Sequence, residues 1–126
     1  MIGSSSNLCA IGAAVYLSLL GPQGMREIGE GIFQRTDYAI RQISKIKKVK
    51  TPVFEAPHFK EFIINFDKTG RTVKEINNIL LNKHGIVGGK DLSQDFSGLG
   101  QSALFCVTEI HGSGDIDKLA DAIRQL

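Results

Sequence analysis

"EFIINFDKTGRTVKEINNILLNKHGIVGG", residues 61–89, decides the fold. Its first six residues alternate. Phe62, Ile64 and Phe66 face one side, and Glu61, Ile63 and Asn65 face the other, as in a half-buried strand. "DKTG" then turns the chain. Thr72 and Glu75 have the S/T-x-x-E spacing of a capping box, directly before Val73, Ile76, Ile79 and Leu80, which form the inward stripe of a helix. Gly85 ends that stripe, where a helix C-cap favours a residue without Cβ. A strand followed by a capped helix within so short a stretch needs a second layer to cover each apolar face.

Working outward, "ALFCVTEI" (103–110) is apolar on both faces and reads as a central strand, with a short strand expected before it. Ser113 or Asp115 is placed to cap a last helix that buries Ile116, Leu119, Ala120 and Ile123. In the other direction, Val49 to Phe54 is an extended run broken by Pro52, which suits an edge strand or the start of one. Ahead of it, Met25, Ile28, Ile32, Phe33, Thr36, Ala39, Ile40, Ile43 and Ile46 recur at helical spacing over about six turns. Gly21-Pro22 marks the break before this helix, with proline set to open it. Lys45, Lys47, Lys48 and Lys50 gather near its end, where cations complement the helix dipole. The predicted order is helix, helix, strand, strand, helix, short strand, strand, helix. This is an α+β class: two layers, with helices packed on a small, mainly antiparallel sheet, and an apolar helix at the N-terminus.

That apolar helix is "NLCAIGAAVYLSLLG", residues 7–21, and no charge occurs before Arg26. Bounded by Asn7 and Gly21-Pro22, the run is short of the ~20 residues a spanning helix needs. An export signal of this length would carry Lys or Arg ahead of the apolar run and a small-x-small cleavage site behind it, and neither is present. The expectation is a helix buried all round by further protein, tucked against the rest of the chain or paired with a second copy.

Composition sets outer limits. The 126 residues suffice for one domain, and 42% hydrophobic with 22% charged residues is ordinary for a globular protein. A net charge of +2 gives no reason to expect a nucleic-acid or membrane partner. Cys9 and Cys106 read as small buried apolar residues rather than a disulfide scaffold. His58, His84 and His111 lack metal-ligand spacing, so no metal site is expected. "GIVGG" (85–89) follows a helix instead of preceding one, so it lacks the helix N-terminus that a phosphate cradle requires. Its glycines suit a C-cap and a turn or bulge, or a close approach of backbone to a ligand or a partner domain.

Four stretches carry a resemblance: "AAVYLSLLGPQGMREIGEG" (13–31), "HFKEFIINF" (58–66), "LLNKHGIVGGKDL" (80–92) and "LFCVTEIHGSGDIDKLADAI" (104–123). In this order and spacing they resemble the carboxy-terminal part of the glycine-cleavage P-protein family, most closely its subunit 1 type. The resemblance covers nearly the whole chain from about Leu8. It implies the small carboxy-terminal domain of a fold-type I pyridoxal-phosphate enzyme, with residues 1–126 forming that one domain and the large cofactor domain absent. Residues 7–21 would be the helix that links the two domains.

The resemblance further implies an activity of the complete α/β assembly: decarboxylation of glycine and transfer of the aminomethyl group to the lipoyl arm of the H-protein. Pyridoxal phosphate would be held by the β chain, subunit 2, leaving this piece inactive alone and cytoplasmic. Lys83 and Lys90 match no lysine motif of the family, so no catalytic or cofactor-binding residue is assigned. Lys60 stands where the family often has Asn, and Asn65 where it often has a basic residue, so ligand contacts on that strand do not carry over. Gly85, Gly88, Gly89 and Glu109 are the positions expected nearest to substrate. Two alternatives remain: a free-standing α+β interaction or small-ligand module, and the small domain of another fold-type I enzyme such as an aminotransferase or a cysteine desulfurase.

Overall fold

The computed structural model describes residues 7–126. Contacts divide the chain into two units, one ending at Gly31 and the other running from Ile32 to Leu126. In the first, residues from Asn7 onward are helical, within helix α1 (Asn7–Ser44). At Gly21 the backbone leaves helical geometry, with φ 61° and ψ −176°. Only glycine adopts that conformation without strain. The two helices expected on either side of Gly21-Pro22 are therefore two helical stretches joined through this kink.

Residues 8–19 of this helix are exposed, among them Leu8, Ile11, Val15 and Leu19, so the burial expected of an apolar helix is not supplied by the described residues. By length and composition α1 holds an 18-residue window apolar enough to cross a membrane, with mean hydropathy 1.4. The sequence expectation had bounded the run at Gly21 and found it too short. Core helices and export signals also meet this measure.

The second unit holds the expected two layers. Strands β1 (Glu61–Asn65), β2 (Lys90–Asp91) and β3 (Ser102–Cys106) form an antiparallel sheet in the order β1-β3-β2, which places β3 in the centre as its two apolar faces predict. Phe62 pairs with Phe105 and Ile64 with Ala103, which puts these four on one face. Helix α2 (Val73–His84) contributes Val73, Ile76 and Leu80 against that face, and α3 (Ser113–Arg124) contributes Ile116, Ala120 and Ile123. Ala39 and Ile43 of α1 join the same core. Phe62 and Phe105 stack with ring centroids 6.2 Å apart. Each such large apolar side chain, fully buried, contributes about 1.5–3 kcal/mol. Across the helical layer, the Tyr38 hydroxyl donates to Asp117 at 2.7 Å, which holds the phenol above its ordinary pKa.

The capping box is present as predicted: Glu75 N donates to Thr72 Oγ1, and Thr72 N donates to Glu75 Oε2 at 2.8 Å. These bonds hold the Glu75 carboxyl below its ordinary range. Gly85 closes α2 in the left-handed region at φ 65°, also as predicted.

Four expectations are corrected. Cys9 and Cys106, expected to be buried, are both exposed: Cys9 lies on the uncovered part of α1 and Cys106 at the open end of β3. Val49–Phe54 is no strand: one bridge joins Lys50 to Asn65 and no ladder continues, since Pro52 lacks the N–H a ladder needs. The strand expected to reach Ile110 stops at Cys106, and Thr108 to His111 forms a turn. Neither Ser113 nor Asp115 is the N-cap of α3. That position is Gly112, whose N–H donates to the Asp115 carboxylate at 2.9 Å.

Candidate functional site

The end of β3 at Cys106 opens into a cleft of about 320 Å³. Its walls come from the segment after α2 (Ile86, Val87), from β3 and the residue beyond it (Phe105, Val107) and from α3 (Ile116, Leu119). Gly85 lies at its edge, and Cys106, His111, Asp115 and Lys118 supply its polar groups. The cleft exists because the chain turns sharply after β3. Thr108 N donates to His111 Nδ1 at 3.0 Å, and His111 N donates back to the Thr108 carbonyl at 3.3 Å. With Nδ1 accepting from the backbone, the neutral imidazole carries its proton on Nε2. The lining thus joins an apolar floor to a donor on His111, an ammonium on Lys118 and a carboxylate on Asp115.

The four positions expected nearest to substrate are placed differently from one another. Gly85 lines the cleft. Gly88 and Gly89 lie against the protein's own elements. A Cβ on Gly88 would fall 2.0 Å from Asn77 Oδ1, and one on Gly89 would fall 2.7 Å from the Leu104 carbonyl oxygen. Asn77 Nδ2 also donates to the Gly89 carbonyl at 2.8 Å. The close backbone approach that these glycines permit is therefore an approach to α2 and β3. Glu109 is exposed in the turn after β3 and is not part of the cleft lining. Sequence reading passed over His111 and Lys118, since a loop histidine and a surface lysine carry no motif. The one available signal was the three-residue spacing of Thr108 and His111.

The opposite end of β3 is closed by hydrogen bonds. Asn65 Nδ2 donates to Asp67 Oδ2 at 2.8 Å, to the Leu99 carbonyl at 2.9 Å and to Ser102 Oγ at 3.2 Å. Gln101 N donates to Asp67 Oδ1 at 2.8 Å, and Gln101 Oε1 accepts from Val73 N at 3.0 Å. The Asn65 amide and the Gln101 N–H together hold the Asp67 carboxyl below its ordinary range. Gly100, at φ 60°, leaves that carboxylate its place, since a Cβ there would lie 2.5 Å from it. Asn65, the departure from the family pattern noted above, is thus committed to holding loops together.

Among the described residues, no group of three His, Cys, Asp or Glu side chains is placed to hold a metal ion. Every lysine is solvent-exposed, and Lys118 is the lysine that lines the cleft.

The fold has a counterpart among solved structures. The crystal structure of glycine decarboxylase (P-protein) of the glycine cleavage system, in inhibitor-bound form, matches 98% of this chain and 27% of its own, with a TM-score of 0.84 and 25% identity. In sequence the chain is 41% identical to a probable glycine dehydrogenase (decarboxylating) subunit 1 of Staphylothermus marinus, across 98% of this chain and 28% of the relative. It is 37% identical to the protein of the same name from Thermococcus onnurineus, across 99% of this chain and 26% of that one. No family model matches the sequence. The chain is thus homologous, over nearly its whole length, to glycine decarboxylase P-proteins. Within that class its sequence relatives are subunit 1 of glycine dehydrogenase (decarboxylating), as the four stretches implied. It spans about a quarter of their length, 26–28% in these two.

Proposed function

We propose that this chain is the small carboxy-terminal domain of a glycine dehydrogenase (decarboxylating) subunit 1. The complete α/β assembly then decarboxylates glycine with pyridoxal phosphate held by subunit 2, and passes the aminomethyl group to the lipoyl arm of the H-protein in the cytoplasm. One observation carries this reading: a TM-score of 0.84 to a P-protein, with 41% identity to a subunit 1 protein, over the same nearly complete length. In this role the core of residues 32–126 is a support and the chain is inactive alone. The apolar helix from Asn7 to Leu20 links to the large domain, or pairs with a second copy. Gly85, Gly88, Gly89 and Glu109 remain the positions proposed to approach substrate: Gly85 borders the cleft, Gly88 and Gly89 follow it in the same segment, and Glu109 is exposed in the turn after β3.

A chimera tests the proposal. The matching segment of the Thermococcus onnurineus subunit 1 is replaced by this chain and co-expressed with its subunit 2, and glycine–bicarbonate carbon exchange is measured with added H-protein. Exchange is expected in the chimera and absent from the 126-residue chain alone. A folded chimera that assembles with subunit 2 and shows no exchange would refute the reading.

A further inference from the structure

The cleft beside β3 has a feature that its support role does not use. Its floor is aliphatic and aromatic, while its rim presents both signs of charge. Val87, which lines it, is the most exposed large apolar residue of its unit, at 85%. On the rim, His111 has Nδ1 occupied by the Thr108 N–H, which leaves Nε2–H to donate outward. Lys118 adds an ammonium and forms no ion pair among the described residues. Asp115 uses Oδ2 to accept from Gly112 N, which leaves Oδ1 free as an acceptor.

A small anion alone would meet Asp115 as a like charge, and a small cation would meet Lys118. An uncharged apolar molecule would use the floor and leave the donor, the ammonium and the carboxylate of the rim unused. A zwitterion with an aliphatic tail satisfies every group at once. The volume of about 320 Å³ lies at the lower end of the range for small-ligand sites and suits a molecule of that size.

From this we infer that the cleft is a binding site for an aliphatic α-amino acid. The carboxylate lies toward Lys118 and His111, the ammonium toward Asp115, and the side chain against Ile86, Val87 and Leu119. The inference does not depend on the family reading, because every residue in it belongs to the unit from Ile32 onward. The open mouth makes the site a weak one, in the millimolar range.

The test uses L-leucine with the full 126-residue chain, followed by amide and methyl NMR shifts. Two half-ligands serve as controls: 4-methylpentanoate, which lacks the ammonium, and 3-methylbutylamine, which lacks the carboxylate. Leucine is expected to move Val87, Val107, His111 and Leu119 in one saturable curve, with each half-ligand weaker by about tenfold. Lys118→Met, an exposed change, is expected to weaken leucine by a similar factor and leave 3-methylbutylamine unaffected. The inference is overturned if leucine produces no saturable shifts at these residues, if either half-ligand binds as well as leucine, or if Lys118→Met changes nothing. Failure of the chimera would leave this result untouched.

Discussion

The two ends of β3 are built from opposite materials. At Ser102 the strand is closed by a set of hydrogen bonds that share two carboxylate oxygens, one amide and one glutamine side chain. At Cys106 it opens into a cleft flanked by glycines packed against Asn77, Leu104 and Phe105 and by a single turn closed by His111. A dense bonded network fixes geometry and leaves no group to spare for a ligand. The cleft end leaves donors and acceptors with unused capacity.

The contrast can be broken or sharpened by substitution. Gly89→Ala should have the largest effect. Its Cβ would lie 2.7 Å from the Leu104 carbonyl oxygen of the central strand, and backbone in a sheet cannot yield. Urea unfolding should show a loss of about 3 kcal/mol, the upper part of the overpacking range. An unchanged midpoint would mean that the cleft side is not held by fit at all. Asp67→Ala removes the acceptor of both Asn65 Nδ2 and Gln101 N. It should cost about 1 kcal/mol, as for hydrogen bonds to a charged group that is open to water. A variant as stable as the parent would show the network to be ornamental.

Thr72→Ala takes away the cap of α2 and should cost about 1 kcal/mol, with helical signal lost before the sheet unfolds. Cap loss without any stability change would contradict the role given to the capping box.

Acid should act on the bonded end as well. The carboxyls of Asp67 and Glu75 titrate in the folded chain below their ordinary values of 3.8 and 4.5. Protons therefore bind the unfolded state more readily, and stability is fully present above those values. It is lost as pH falls through the lower, folded values. Stability measured across this acid range should slope less steeply in Asp67→Ala than in the parent, and parallel slopes would remove Asp67 from the account. The smallest effect belongs to the cleft: His111→Ala should cost about 0.5–1 kcal/mol, the net worth of one neutral hydrogen bond. Faster hydrogen exchange should be confined to Thr108 and its neighbours. Exchange spread through the core would make His111 part of the fold rather than of the site.

Much of the bonded architecture was legible in the residues, because local chemistry set it. The alternation of Phe62, Ile64 and Phe66, the Thr72–Glu75 spacing and the glycine at 85 each act within a few residues, and each produced the element predicted. What failed depended on distant partners. Val49–Phe54 looks extended by composition, yet beyond the Lys50–Asn65 bridge Thr51 spends its hydroxyl on the Ile63 carbonyl, and Pro52 can donate nothing. The strand stops short of Ile110 because His111 reaches back to Thr108, which the apolar run does not signal. The cleft was illegible for the same reason: its polar groups come from a turn and a helix that meet only after folding. The apolar run from Asn7 is helical as its composition predicts, and among the described residues nothing covers it.

One contact described above also constrains history. The Asn77 side chain occupies the place that a Cβ on residue 88 would need, and its amide holds the Gly89 carbonyl, while its Oδ1 is left without a partner. Positions 77 and 88 therefore cannot drift independently. A lineage that gains any side chain at 88 must first shrink residue 77, and it then gives up the tether to Gly89 on the way. Across related sequences the two positions should substitute in pairs, with asparagine at 77 found only opposite glycine.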